Sequence, residues 1–239
     1  MNVPVVFIPG IRVTGSMWRP QRDALGARRA VTAVDLPGHG VHRDREFTMA
    51  EAVRVVIDAV DRLDRGPALL AGASLGGYVA FAAAASRPER VAGVVAVGST
   101  ALVTPARIRP YRLMAALSGR TGDAVQRLLL RLALGTRAAA DLTAGGLHTS
   151  VVPEVLAAMS RHDPLADLAA YPGPVWLANG TRDHFRVDEN RFLAACRDGR
   201  SHPIPRAGHL AGLTRPGEVT RLIEAAAEEV SRRRPSPPR

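Results

Sequence analysis

The sequence predicts an α/β fold: a mostly parallel sheet flanked by helices and broken by a helical insertion. Three observations predict it. Val3–Ile8, Ala68–Ala71, Val91–Val97 and Pro174–Asn179 are short, continuous apolar runs rich in β-branched residues. Such runs mark strands covered on both faces, as in parallel sheets. Helical patterns lie between the first of these runs, which gives the alternation of βαβ units. From Thr104 to Ala170 the alternation stops and only helical stripes remain.

The elements follow in order. After Val3–Ile8 comes a Gly-containing loop, Pro9–Ser16, then a polar-rich helix over Trp18–Arg29 and a strand over Val31–Leu36. The turn Pro37-Gly38-His39-Gly40 stops that strand. Thr48-Met49-Ala50-Glu51 has the capping-box pattern and opens a helix with its apolar face on Ala52, Val53, Val56, Ile57, Val60 and Leu63. Asp58 and Arg62 are expected to pair across one turn of it. An alanine-rich helix over Tyr78–Ala85 follows the second apolar run, and Ser86-Arg87-Pro88 ends it. In the insertion, Val125, Leu128, Leu129, Leu132 and Ala133 form one apolar stripe, and Val155, Leu156, Met159, Leu165 and Leu168 form another. Both are expected to contact the core first and to wall a substrate pocket second. Glu189–Cys196 reads as a helix, Ser201–Pro205 as an edge strand because of its two prolines, and Glu218–Ser231 as a last amphipathic helix. The expected division is 1–103 and 171–231 for the α/β core, 104–170 for a helical cap and 232–239 for a disordered, Pro- and Arg-rich tail.

Composition narrows the function. The chain has 239 residues, 46% hydrophobic and 23% charged, enough for one sizeable domain. Its formal charge of +10 raises the question of nucleic acid. Every basic residue is arginine, however, and the arginines are scattered apart from Arg232-Arg233-Arg234, so no nucleic-acid partner is expected. No apolar run is long enough to span a bilayer, and Met1 leads almost directly into the first strand without a signal-peptide pattern. The single cysteine, Cys196, excludes an intrachain disulfide and reads as a packing residue. A cytoplasmic location is the expectation, with no membrane partner.

The chemistry centres on Gly72-Ala73-Ser74-Leu75-Gly76, set between a strand and a helix. A serine at such a sharp strand-to-helix turn stands clear of the sheet, and glycine two residues to each side leaves room for the backbone to fold past itself. A serine hydroxyl needs a base, and the base needs an orienting acid. Asp183 lies just past the strand Val175–Ala178, at the sheet edge where catalytic groups of open α/β sheets collect. His209 lies in Ala207-Gly208-His209, before the last helix.

Phe7-Ile8-Pro9-Gly10, Asp35-Leu36-Pro37-Gly38-His39-Gly40, the Ser74 turn, Gly180-Thr181-Arg182-Asp183, and Gly208-His209 followed by Arg215-Pro216 span nearly the whole chain. In that order and at that spacing, the chain resembles the α/β-hydrolase superfamily, in its serine-hydrolase branch with a helical cap. The order Ser, Asp, His is that of the family. The resemblance implies Ser74 as nucleophile, His209 as base and Asp183 as its orienting acid. It places the oxyanion hole at the backbone N–H groups of Leu75 and Ile11, and it calls for no metal and no cofactor. Arg12, Trp18 and Tyr78 are candidates for the substrate pocket.

The sequence departs from the common pattern in three places. Pro9-Gly10 stands where many members have His-Gly, Val41-His42 follows the glycine-rich turn in place of a small residue, and Thr214 takes an acidic position. Several other side chains have structural readings. His39 reads as a turn residue, Asp35 as a loop anchor and His184 as a rival base to His209; His42, His148, His162 and His202 show no metal-ligand spacing.

The implied activity is hydrolysis of an ester or thioester of a small to medium apolar acyl group through an acyl-enzyme. The same triad would also serve a C–C bond hydrolase, or an acyltransferase or lactonising enzyme. A binding protein that kept the fold without the chemistry is the alternative from another class. Epoxide hydrolysis and dehalogenation are disfavoured, because those branches carry aspartate where this chain has Ser74.

Overall fold

The computed structural model describes residues 2–104, 107 and 123–233. Six strands form one sheet: β1 (Val5–Ile8), β2 (Val31–Ala33), β3 (Ala68–Ala73), β4 (Val91–Val97), β5 (Pro174–Ala178) and β6 (Asp198–Ser201). Their spatial order is β2-β1-β3-β4-β5-β6, and every adjacent pair is parallel. The apolar runs become strands because both faces are covered. Val6, Ile8, Leu70, Val94, Val175 and Leu177 point to one layer of helices, and Val5, Phe7, Leu69, Val95, Trp176 and Ala178 to the other. This period of two is what a pleated strand imposes.

Helices α1 (Arg19–Gly26), α2 (Met49–Leu63) and α3 (Leu75–Ser86) link the first strands. Between β4 and β5 the described residues contain α4 (Asp123–Leu134), α5 (Thr136–Thr143), α6 (Val152–Ser160) and α7 (Pro164–Ala170), and no strand. Then come α8 (Glu189–Ala195), the short α9 (Ala211–Thr214) and α10 (Pro216–Arg233). One layer holds α2, α3, α7 and α8; the other holds α1 and α10. Helix α3 sits deepest, with Leu75 through Ala84 all buried. Its alanines and glycines let it lie close on the sheet.

Several sequence expectations need correction. The N-cap half of the capping box forms, with the Glu51 N–H donating to Thr48 Oγ1 at 3.1 Å, but the Glu51 carboxylate turns to Arg54 and Arg45. On the same helix Asp58 pairs with Arg54 rather than Arg62, at 3.1 Å. The edge strand is Asp198–Ser201, upstream of Pro203 and Pro205, which leave only an isolated bridge between Ile204 and Gly180. The stripe on α4 does not reach the core: Val125, Leu128, Leu129 and Leu132 are exposed, Leu132 by 76%. The second stripe does, with Val155 and Leu168 buried. The last helix runs through Arg233, so Arg232 and Arg233 belong to it and not to a tail. Arg233 pairs with Asp198 and Glu229. The remainder of the expected tail, and residues 105, 106 and 108–122 of the expected cap, lie outside the described residues.

Candidate active site

Three loops at the C-terminal edge of the sheet bring the site together. Ser74 follows β3 directly, with φ 50° and ψ −117°, a conformation that L-residues adopt only when their surroundings enforce it. The enforcement is visible. The Ser74 N–H donates to Val97 O at 2.8 Å, while Ser74 O accepts from Gly77 N and from the Ser99 hydroxyl, both at 2.9 Å. A Cβ on Gly72 would stand 2.2 Å from Gly76 O, and one on Gly76 would stand 2.3 Å from Ile8 O. No side chain fits at either position, as the sequence pattern requires.

Asp183 and His209 arrive from the loops after β5 and β6. His209 Nε2 lies 3.0 Å from Ser74 Oγ, and His209 Nδ1 lies 3.0 Å and 3.2 Å from the two Asp183 carboxylate oxygens. The Asp183 side chain is fully buried, and Phe185 N–H donates to its Oδ1 at 2.9 Å. Burial pushes the carboxyl up, but the His209 hydrogen bond and charge, helped by the Phe185 amide, outweigh it. The net pKa falls below the usual carboxylate value. An ionised Asp183 accepts only, so Nδ1 carries the proton and Nε2 is left to accept from the Ser74 hydroxyl. His184 lies beside this chain of bonds, its ring 6.0 Å from that of His209, and it is His209 that meets Ser74.

Gly98, at the end of β4, was not singled out from sequence. It has φ 68°, and a Cβ there would come within 3.1 Å of His209 Nδ1 and 3.2 Å of Asp183 Oδ2. Ser99 was missed as well. Its hydroxyl is buried against the Ser74 carbonyl, a contact between residues 25 apart that no local pattern announces.

Beside Ser74, the loop after β1 comes close: a Cβ on Gly10 would lie 3.6 Å from that of Ser74. Among the described residues, no hydrogen bond engages the backbone N–H of Ile11 or Leu75. Leu75 N–H also opens α3, where the unpaired amides and the dipole of the helix favour an anion. Both residues line a cavity of about 420 Å³ that reaches Ser74 and His209. Its walls are mostly apolar, with Leu102, Val103, Val152, Leu156, Met159 and Val187, but Arg12, Arg107 and His184 line it too.

The three pocket candidates separate. Tyr78 lines the cavity, but its hydroxyl is held by Ala101, donating to the carbonyl at 2.6 Å, and burial pushes its pKa up. Arg12 also lines it, with its guanidinium bonded to Gln126 of α4. Trp18 is not among the lining residues. It is fully buried, stacks beside Phe7 and donates its Nε1–H to Ile8 O at 3.0 Å, so it packs the core beneath the loop. Asp35 is a loop anchor, accepting from the Gly15 and Val41 amides. Cys196 is partly buried, and burial pushes its thiol up to about 11, which suits packing and not nucleophilic use. Among the described residues, no cluster of His, Cys, Asp and Glu could hold a metal ion, and no helix is long and apolar enough to cross a membrane.

A parallel sheet between two helical layers, with a serine at the turn after a central strand, defines the α/β-hydrolase class. Comparison with known proteins agrees: the model of the Alpha/beta hydrolase family matches residues 5–222, and the chain belongs to that family. It is 31% identical to a pimeloyl-[acyl-carrier protein] methyl ester esterase of Methylococcus capsulatus, over 92% of both chains. Several other curated relatives match over about half of their length or less. An example is the acetyltransferase component of an acetoin cleaving system from Pseudomonas putida, 36% identical over 42% of this chain but 28% of that one. Among solved structures, a thermophilic esterase from Thermogutta terrifontis superposes with a TM-score of 0.78 at 25% identity, covering 96% of this chain and 91% of the other. A non-heme bromoperoxidase from Mycobacterium tuberculosis gives 0.79 at 22% identity, over 96% and 93%, and shares the fold.

Proposed function

We propose that this protein is a serine hydrolase that cleaves esters of small to medium apolar acyl groups through an acyl-enzyme. The observation that carries the reading is the unbroken hydrogen-bond line from Asp183 through His209 to Ser74, ending in an apolar cavity. In this reading Ser74 Oγ attacks the acyl carbonyl as Nε2 of His209 takes its proton. His209 then returns the proton to the leaving alkoxide or thiolate. A water, deprotonated by the same imidazole, releases the acid. Asp183 holds the ring and stabilises its positive charge. The N–H groups of Leu75 and Ile11 take the charge that grows on the carbonyl oxygen. The residues 104–170 act as a cap, with α6 supplying Val152, Leu156 and Met159 to the acyl side.

Two observations favour an acyl substrate. The cavity walls are mostly apolar, although Arg12, Arg107 and His184 also line it, and a relative matched over most of its length is named as a methyl ester esterase. A thioester fits the same residues. Acyl transfer, lactonisation and C–C hydrolysis would use the same line of bonds and differ in what enters beside it. The substrate is a small molecule, no cofactor is needed for any step, and a cytoplasmic setting suits a chain with one cysteine.

The test is labelling with a fluorophosphonate together with p-nitrophenyl esters from acetate to laurate. The wild-type protein is expected to be labelled and to hydrolyse the shorter and middle esters. Ser74→Ala is expected to lose the label and about 10⁴-fold or more of kcat. Wild-type protein that takes no label and yet binds acyl ligands would establish a binding protein instead.

A further inference from the structure

The proposed oxyanion loop is held by a histidine that the chemistry itself does not use. His39 is fully buried in the turn after β2. Its Nδ1 lies 2.8 Å from Pro37 O, which can only accept, so that nitrogen carries the ring proton. Nε2 is then a bare acceptor, and the Arg12 backbone N–H donates to it at 3.0 Å. Arg12 directly follows Ile11 and has φ 72°, a left-handed conformation that a non-glycine residue keeps only when it is tied down. Its other backbone group is tied too: Arg12 O accepts from the His148 N–H at 2.8 Å. The His148 ring in turn takes the Gly40 N–H at 3.0 Å, and the two imidazoles meet edge to face with centroids 5.7 Å apart. Thus the turn after β2 and the segment before α6 grip one residue of the loop from two sides.

We propose that His39 is a positioning residue: its neutral Nε2 fixes the Arg12 amide and thereby the direction in which Ile11 presents its N–H to the acyl oxygen. This rests on the hydrolase reading above. The ring stays neutral because burial lowers its pKa, against the opposing pull of the Pro37 carbonyl and Asp35. An imidazolium at this place would meet the Arg12 N–H donor head on.

Two substitutions separate the ring's two bonds. His39→Asn keeps a donor near Pro37 O and lacks an acceptor long enough for Arg12. His39→Gln keeps an acceptor at the Nε2 position. With p-nitrophenyl butyrate, H39N is expected to lose on the order of tenfold to a hundredfold in kcat with KM within about threefold. That falls short of the loss from removing an oxyanion donor outright. H39Q is expected to recover most of it. Hydrogen exchange at the Arg12 amide should be about tenfold faster or more in H39N than in the wild type and H39Q. Ring ¹⁵N NMR of the wild type should show the Nδ1-protonated tautomer, and this reading needs no variant to fold. The Nε2-protonated tautomer overturns the proposal. So does an H39N protein with wild-type kcat while Ser74→Ala is dead, and in that case the hydrolase reading survives. Wild-type protein that neither hydrolyses nor takes fluorophosphonate removes the hydrolase reading, and the proposal falls with it.

Discussion

Helices α3 and α4 are each twelve residues long and both largely apolar, α3 with five Ala and α4 with five Leu, yet they have opposite fates. Helix α3 buries Leu75 through Ala84 between sheet and neighbouring helices. Helix α4 leaves Val125, Leu128, Leu129 and Leu132 exposed. The first opens with the serine of the site and is fixed by sterics on every side. The second belongs to the segment between β4 and β5, which adds only one wall to the cavity. The contrast teaches that the serine side of the molecule and the segment between β4 and β5 are packed to different tolerances. The serine turn opens the most deeply buried helix, while one wall of the cavity comes from α6, which is only partly buried, and among the described residues none of α4 lines it. Free energy from burying apolar area, roughly 25 cal/mol per Å², is realised on α3 and mostly forgone on the exposed face of α4.

Three substitutions test that contrast. The largest effect is expected on the tight side. Asp183→Asn should cut kcat by about 10⁴-fold, because the amide stabilises the wrong imidazole tautomer while keeping the shape. The same variant has a pH signature. The folded pKa of Asp183 is depressed, so its contribution to stability is present above the unfolded value of about 4 and is lost as pH falls through the folded value. Denaturation curves should therefore show the gap between wild type and variant closing below ~pH 4. A gap that widens in acid would contradict the ionised, hydrogen-bonded carboxylate. A middle effect is expected at the wall. Leu156→Ala should shift the preferred ester by two or more methylenes toward longer chains, changing kcat/KM ratios by about three- to tenfold at nearly constant kcat for the best ester. An unaltered chain-length profile would remove α6 from the acyl side. The smallest effect belongs to the exposed stripe: Leu132→Ser should move stability by no more than about 0.5 kcal/mol in urea titrations. A loss of several kcal/mol would show that this stripe is covered in solution and would collapse the comparison.

The tight half was also the legible half. A parallel strand buried on both faces writes itself as an apolar run, and Val91–Val97 was located to the residue. The glycines around Ser74 were readable because a turn that folds past itself excludes every other side chain. Legibility failed where a neighbour distant in sequence decides the outcome. Strand β6 is Asp-Gly-Arg-Ser, half-exposed at the sheet edge, so its pairing with β5 leaves no hydrophobic trace. Periodicity on α4 matched that of a packed helix, but periodicity states only that one face is apolar, not that anything meets it. Trp18 looked like a pocket residue because large aromatics often line pockets; its Nε1–H found Ile8 O in the core instead. Gly98 and Ser99 act across strands, and His39 acts on a loop 27 positions earlier.

Gly98 has a consequence for the geometry of the whole sheet. Ser74 follows β3, Asp183 follows β5, and β4 runs between them, followed at once by Gly98, which is bare backbone. Two lateral spacings of a pleated sheet amount to roughly 10 Å. The imidazole lies across that gap, over the vacant tip of the middle strand. The ribbon lattice thus serves as a ruler: the separation of Ser74 and Asp183 that the imidazole bridges is set by the hydrogen-bonded pitch of three neighbouring strands, and one absent methyl leaves room for the ring.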